Sequence, residues 1–226
     1  MLHKTSANKA RSLYYGFFSK LFVFTARQER YKDIEKALDI MIEHSLDDAS
    51  HEALIAFQSF WKTEGEQALI QEYDDIFHNP AYPCVRNTTS YYDEEVESGH
   101  QRLIVKNFLA KTTLRRDEQN FKENEDSFGF IFTFMHELVE GIMQEQKEYE
   151  HLQTSLFTEV INPFVDAFIE RVYSHPKAKA YQSIAIVLNT FMAFERMYFE
   201  VAKPPLKEDT PKRNESPKKG KKKSPK

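Results

Sequence analysis

Residues 121–146 read FKENEDSFGFIFTFMHELVEGIMQEQ, an acidic turn opening directly into the most apolar helical pattern of the chain. Phe128, Ile131, Phe132, Met135, Leu138, Val139 and Ile142 recur at steps of three and four, which gathers them on one face of a helix. Asn124 or Asp126 can cap that helix, and Glu123, Glu125 and Asp126 put negative charge where its dipole is positive. Gly129, in the first turn, lets another backbone approach closely because it lacks a Cβ.

Working outward, the same periodicity fills most of the chain. Residues 8–26 carry Leu13, Tyr14, Phe17, Phe18, Leu21 and Phe22 on one side, with Thr5, Ser6 or Asn8 available as a cap. Helices follow over 28–45, 50–62 and 66–77, the last two separated by Gly65. The segment HNPAYPCVRNTTSYYDEE (78–95) is the one long irregular stretch, since Pro80 and Pro83 exclude a continuous helix. Asp93, Glu94 and Glu95 then open a helix over 93–114. Residues 149–174 hold Pro163 inside a helical pattern, which predicts a kink or two shorter helices. A final helix spans 177–200. The expected organisation is an all-α, single-domain helical bundle over 1–202, followed by a Lys/Pro/Ser-rich tail over 203–226 that buries too little to fold.

Composition narrows the function. Only six Gly and nine Pro argue against turn-dense β architectures, and 19 Phe with 11 Tyr supply a large core. The single cysteine, Cys84, can form no internal disulfide. No apolar run is long enough to cross a membrane and no secretory signal is visible at the N-terminus, so a cytoplasmic protein is expected. The net charge of −4 hides a split: the tail holds ten Lys and Arg against three acids, leaving 21 bases and 32 acids in residues 1–202. An acidic body suits a cationic partner.

Catalytic signatures are missing: no glycine-rich phosphate loop, GxSxG, HExxH or CxxC occurs. Glu148 and His151 form one Glu-x-x-His pair where a di-metal bundle needs two. His78, Cys84 and His100 fit no tetrahedral spacing. His136 and Glu137 sit one step off the apolar seam, with no nucleophile near them in sequence. No metal or cofactor is expected. The tail KKGKKKSPK could attract phosphates, but the acidic body offers no basic stripe interleaved with aromatics, so nucleic acid is not expected as the main partner.

The order of these elements resembles the TorD/DmsD/NarJ-type chaperones that mature molybdenum-containing redox enzymes. ARSLYYGFFSKLF (10–22) looks like the family's opening helix, with Phe18, Leu21 and Phe22 on its aromatic-x-x-Leu-Phe signature. EYDDIFHNP followed by a Pro-bearing loop and SYYDEE resembles its Tyr-containing acidic hinge. Residues 123–127 align with its Glu-Pro-x-Asp-His motif, keeping Glu123 and Asp126 while Asn124 replaces the Pro and Ser127 the His. VINPF and SHPKAKAYQSIAIVL look like its closing helices.

The resemblance implies an all-helical, non-enzymatic chaperone that binds the twin-arginine signal peptide and apoprotein of one oxidoreductase, here expected to be formate dehydrogenase, until its cofactor is inserted. Such a peptide presents two arginines and then an apolar segment, so its receptor needs carboxylates beside an apolar surface. Glu94, Glu95, Glu123, Glu125 and Asp126 are the expected carboxylates, Tyr91, Tyr92, Phe128, Phe132 and Met135 line the apolar part, and Asp93 belongs to the same expected site. The protein is expected as a monomer or a helix-swapped dimer. The alternatives are a helical di-metal carboxylate protein and a scaffold that binds nucleic acid or membrane through its tail.

Overall fold

Helical periodicity is realised in α1 (Leu2–Phe22), α2 (Ile34–Glu43), α3 (Asp48–Phe77), α4 (Thr89–Glu94), α5 (His100–Ala110), α6 (Phe128–Met143), α7 (Glu148–Leu156), α8 (Val165–Tyr173) and α9 (Ala180–Phe199). The computed structural model describes residues 2–23 and 30–205. The basic segment over 206–226, expected to stay unfolded, lies outside the described residues. Lys203, Pro204 and Pro205, assigned to that tail from composition, are instead seated on the body.

Several boundaries differ from the sequence expectation for identifiable reasons. α1 begins at Leu2, so Thr5, Ser6 and Asn8 are inside it, and Asn8 accepts hydrogen bonds from Arg11 and Tyr198 instead of capping. The helices expected on either side of Gly65 run as one element bent there, with Gly65 at φ 78°, a conformation that costs glycine little. The helix expected over 93–114 is divided: α4 ends where Glu95 turns left-handed, and α5 starts only at His100. The acidic run therefore closes one helix instead of opening another. Around Pro163, α7 passes through a π-helical turn (Phe157–Ile161) before α8, giving two short helices.

α1 packs along α6 and α3 along α9, and aromatic rings fill the space between the pairs. Phe22 is fully buried against Phe77, Phe132, Phe168 and Tyr181. Burial of each such ring stabilises the fold by about 2–3 kcal/mol. The close α1–α6 approach depends on Gly129, where an added Cβ would collide with the Phe22 carbonyl. At the far end of α1, Arg11 makes a bidentate pair with Glu195 of α9 (2.6 and 2.9 Å) and donates to Gln153 of α7 (2.7 Å). Arg11 and Glu195 are both fully buried. Tyr15 donates to the same carboxylate at 2.6 Å, and burial first, then the Glu195 charge, raises its hydroxyl well above the usual range.

Candidate functional site

The two acidic stretches of the sequence meet in space. The residues entering α4 pair with the turn before α6: Thr88 and Ser127 form an isolated antiparallel bridge, Thr89 N–H donates to the Asp126 carbonyl (2.9 Å), and Phe128 N–H donates to the Asn87 carbonyl (2.9 Å). These backbone bonds hold the hinge between α3 and α5 against the head of α6.

Within that junction the turn carboxylates point inward. Asp126 is fully buried, and its Oδ2 accepts from Ser90 N–H (3.1 Å), so it caps α4 from a distant part of the chain. Burial raises its pKa above the ordinary carboxylate value, against the opposing pull of Ser90. The expected cap of α6 by Asn124 or Asp126 is made instead by Ser127, whose Oγ accepts from Phe130 N–H. Glu125 is also buried and accepts from Arg102 Nε at 2.6 Å, with Arg116 at 3.5 Å. Burial pushes its pKa upward, but Arg102, a backbone bond and the Arg116 charge outweigh that and hold it below the usual value. Glu123 is half-buried and accepts from Tyr73 (3.3 Å) and Asn87 (3.1 Å).

The hinge carboxylates point outward. Glu94, Glu95 and Glu97 are exposed, and the intervening Val96 is 48% exposed. Glu94 accepts from His100 N–H (3.0 Å) at the head of α5, and Glu97 accepts from Thr88 Oγ1 (2.8 Å). Among the described residues neither Glu94 nor Glu95 has a cationic partner. Asp93, half-buried, accepts from Gln101 at 2.9 Å. Tyr92 packs its ring on Phe128 and Phe168 and donates to the Arg86 carbonyl, while Tyr91 lies beside the guanidinium groups of Arg86 and Arg171.

Three expected apolar contacts are placed elsewhere. Phe128, Phe132 and Met135 are all fully buried on the face of α6 that meets the core, because that face is the one α1 and α8 cover. Open space lies on the flank of α6 instead. A cavity of about 450 Å³ is walled by Phe121, Phe130, Phe134, Leu109 and Leu114. Sequence reading passed over Phe130 and Phe134 because they fall between the seam positions; the long α5–α6 connection was the available signal. A polar cleft of about 230 Å³ lies between hinge and turn, lined by Arg86, Asn87, Glu97, Lys122 and Glu123. The α5–α6 connection walls both spaces: its first half, through Phe121, faces the apolar cavity, and Lys122 onward faces the cleft.

Among the described residues, one serine and one histidine distant in sequence come together outside these two spaces. Ser12, absent from the sequence neighbourhood of His136, is brought beside it by α1; its hydroxyl donates to Glu140 and lies 3.2 Å from His136 Nδ1, which also faces the Ser12 carbonyl at 3.0 Å. The imidazole does not stand between hydroxyl and carboxylate, as a nucleophilic triad requires. Among the described residues no three His, Cys, Asp or Glu side chains gather as a metal site. No helix among them is long and apolar enough to cross a membrane.

The family model described as nitrate reductase delta subunit matches residues 43–170, from the end of α2 through the π-helical turn into α8, and so takes in both acidic stretches and all of α6. The chain belongs to this family, the NarJ/TorD-type maturation chaperones of molybdoenzymes, which are not catalytic. Comparison with curated proteins finds no match.

Proposed function

We propose that residues 1–202 act as the binding domain of a cytoplasmic, system-specific chaperone that takes up the twin-arginine signal peptide and apoprotein of a molybdoenzyme, with formate dehydrogenase as the client. The observation that carries this reading is the pairing of two spaces across one loop. The paired arginines of a leader meet the exposed hinge carboxylates Glu94 and Glu95 and the Glu97–Glu123 cleft. The apolar segment that follows them crosses the α5–α6 connection into the cavity walled by Phe121, Phe130 and Phe134. Charge-assisted bonds orient such a peptide, and burial of its apolar part supplies affinity.

Under this reading the buried residues act from beneath. Asp126 and Glu125 fix the hinge to the turn, Phe128, Phe132 and Met135 anchor α6, and Tyr92 ties the hinge to the core. Occupation of the cleft withholds the leader from export while the rest of the apoprotein remains accessible for cofactor insertion.

The test is a titration of a labelled twin-arginine leader peptide into the full chain. Binding is expected to weaken with salt, and Phe130→Ser and Glu94→Lys/Glu95→Lys are each expected to weaken it. A peptide whose arginines are replaced by glutamine and which binds equally well would overturn the reading. Co-purification with a formate dehydrogenase precursor, against nitrate and dimethyl sulfoxide reductase precursors, tests the client.

A further inference from the structure

α6 packs closely along one side of α1, whereas α2 touches α1 only lightly and lies mainly on α3. A trough of about 460 Å³ remains between α2 and α6, with α1 as its floor, apart from the cleft and cavity assigned to the leader. Its apolar wall is formed by Leu13, Ala37, Ile40 and Met143; the first, second and fourth are half-buried, and Ile40 is 48% exposed. The trough follows α1 from Lys9 to Lys20, about 16 Å or three helical turns. A slot bounded by three helices and running parallel to one of them has the shape that a fourth helix fills.

Charge says what kind of helix. Lys9 and Lys20 stand at the two ends of the slot, Lys9 exposed and without a carboxylate partner among the described residues, Lys20 donating to the Lys32 carbonyl. The other rim charges are already matched: Lys36 pairs with Asp33 at 2.8 Å, and Glu140 accepts from Ser12 Oγ. On a body of 21 bases and 32 acids, this rim is therefore cationic where its surroundings are not. It suits carboxylates about three turns apart on the occupant.

Midway along the floor lies His136. Ser12 Oγ gives its proton to Glu140, so the two Ser12 oxygens facing His136 Nδ1, Oγ at 3.2 Å and the carbonyl at 3.0 Å, can only accept. The ring proton therefore sits on Nδ1, and Nε2 keeps a lone pair with no donor among the described residues, on a ring that lines the trough. Gly16 admits that ring, since an added Cβ there would stand 3.2 Å from it. We propose that the trough docks an amphipathic helix of a partner protein. Its apolar face lies on Leu13, Ala37, Ile40 and Met143, its carboxylates pair with Lys9 and Lys20, and a central hydroxyl or amide donates to His136 Nε2. The site is independent of the leader reading.

The experiment uses the full chain and a labelled synthetic helix of four turns, with leucines at three- and four-residue steps, a central serine and glutamates eleven residues apart. Its counterparts carry lysines for the glutamates or alanine for the serine. Fluorescence titration at low salt is expected to show binding of the acidic helix, binding at least tenfold weaker for the lysine helix, and a several-fold loss for the alanine helix. Ile40→Glu and Lys9→Glu, both exposed positions, are each expected to weaken the acidic helix about fivefold or more while thermal midpoints and affinity for a twin-arginine leader stay unchanged. Should Ile40→Glu fail to fold, Lys9→Glu carries the test alone. Equal binding of acidic and lysine helices, or affinity untouched by the variants, overturns the proposal. So does a dimer that Ile40→Glu converts to monomer, which would give the trough to a second copy, or saturation by laurate with no helix bound, which would make it an acyl-chain site.

Discussion

The turn at 123–127 and the hinge at 93–97 have nearly the same composition and opposite fates. In the turn, Asp126 caps α4, Glu125 neutralises Arg102 and Arg116, and Glu123 collects Tyr73 and Asn87. In the hinge, Glu94, Glu95 and Glu97 keep their faces to water. The difference comes from the backbone. The turn is clamped by two backbone hydrogen bonds to the entry of α4, so its side chains are forced into the junction. Glu95 and Ser98 have left-handed backbones at φ 59° and 58°, which swing the hinge outward between α4 and α5. Carboxylates in the first region hold the fold; in the second, Glu97 lies 3.8 Å from Arg86, while Glu94 and Glu95 face water with no cationic partner among the described residues.

The most damaging way to break the contrast is Asp126→Ala. It removes the cap of α4 and strands Ser90 N–H in a buried site, so a loss of about 2–3 kcal/mol is expected. Asp126→Asn keeps an acceptor and sheds the buried charge, and is expected to stay within about 1 kcal/mol of the parent. Urea denaturation midpoints of the two variants check this. If both lose the same amount, the buried carboxylate is not acting as a neutral-tolerant cap.

Next in size is Glu125→Gln. Arg102 and Arg116 retain partial solvent access, so the loss is expected to be only about 1 kcal/mol near neutral pH. Its pH dependence carries a sign. The Glu125 pKa is held below its ordinary value, so its contribution is present above that value and lost as pH falls through the folded pKa. Asp126 shifts the other way: its folded pKa is raised, so the folded state gains relative stability as pH falls through that raised value toward the ordinary one. Unfolding curves between pH 3 and pH 6 are therefore expected to steepen in Asp126→Asn and flatten in Glu125→Gln. Ser127→Ala, which removes the α6 cap, is expected to cost about 1 kcal/mol without altering that pH profile.

How much of this was legible in the chain depends on the range over which each feature is encoded. The core faces of α1, α6 and α9 follow from periodicity, and the bends at Gly65 and Pro163 from local backbone chemistry. The split between α4 and α5 was hidden, because DEEVESGH reads as a helix start until Glu95 and Ser98 are seen to turn left-handed. Roles set by distant partners were also hidden. Asp126 meets Ser90 36 residues away, and Arg11 meets Glu195 across 184. The two acidic stretches were readable; which of their acids face inward was not, since that is decided by strand-like pairing between segments with no strand pattern. Three of the five expected apolar contacts, Phe128, Phe132 and Met135, lie on the α6 seam, and a seam is by nature covered; open space lies beside the residues flanking it.

The smallest effect on the fold sharpens the comparison most. Glu94→Gln with Glu95→Gln keeps an acceptor for His100 N–H and removes two exposed charges that have no cationic partner among the described residues. Stability is expected to change by less than about 0.5 kcal/mol, because exposed carboxylates of this kind contribute little. Binding of a twin-arginine leader is expected to weaken several-fold at low salt, with a shallower salt dependence than the parent. Loss of more than about 1 kcal/mol in the double variant would mean that the hinge acids are structural after all, like those of the turn. The division of labour between the two regions would then have to be abandoned even if leader binding also fell, since a loosened hinge lowers affinity by itself.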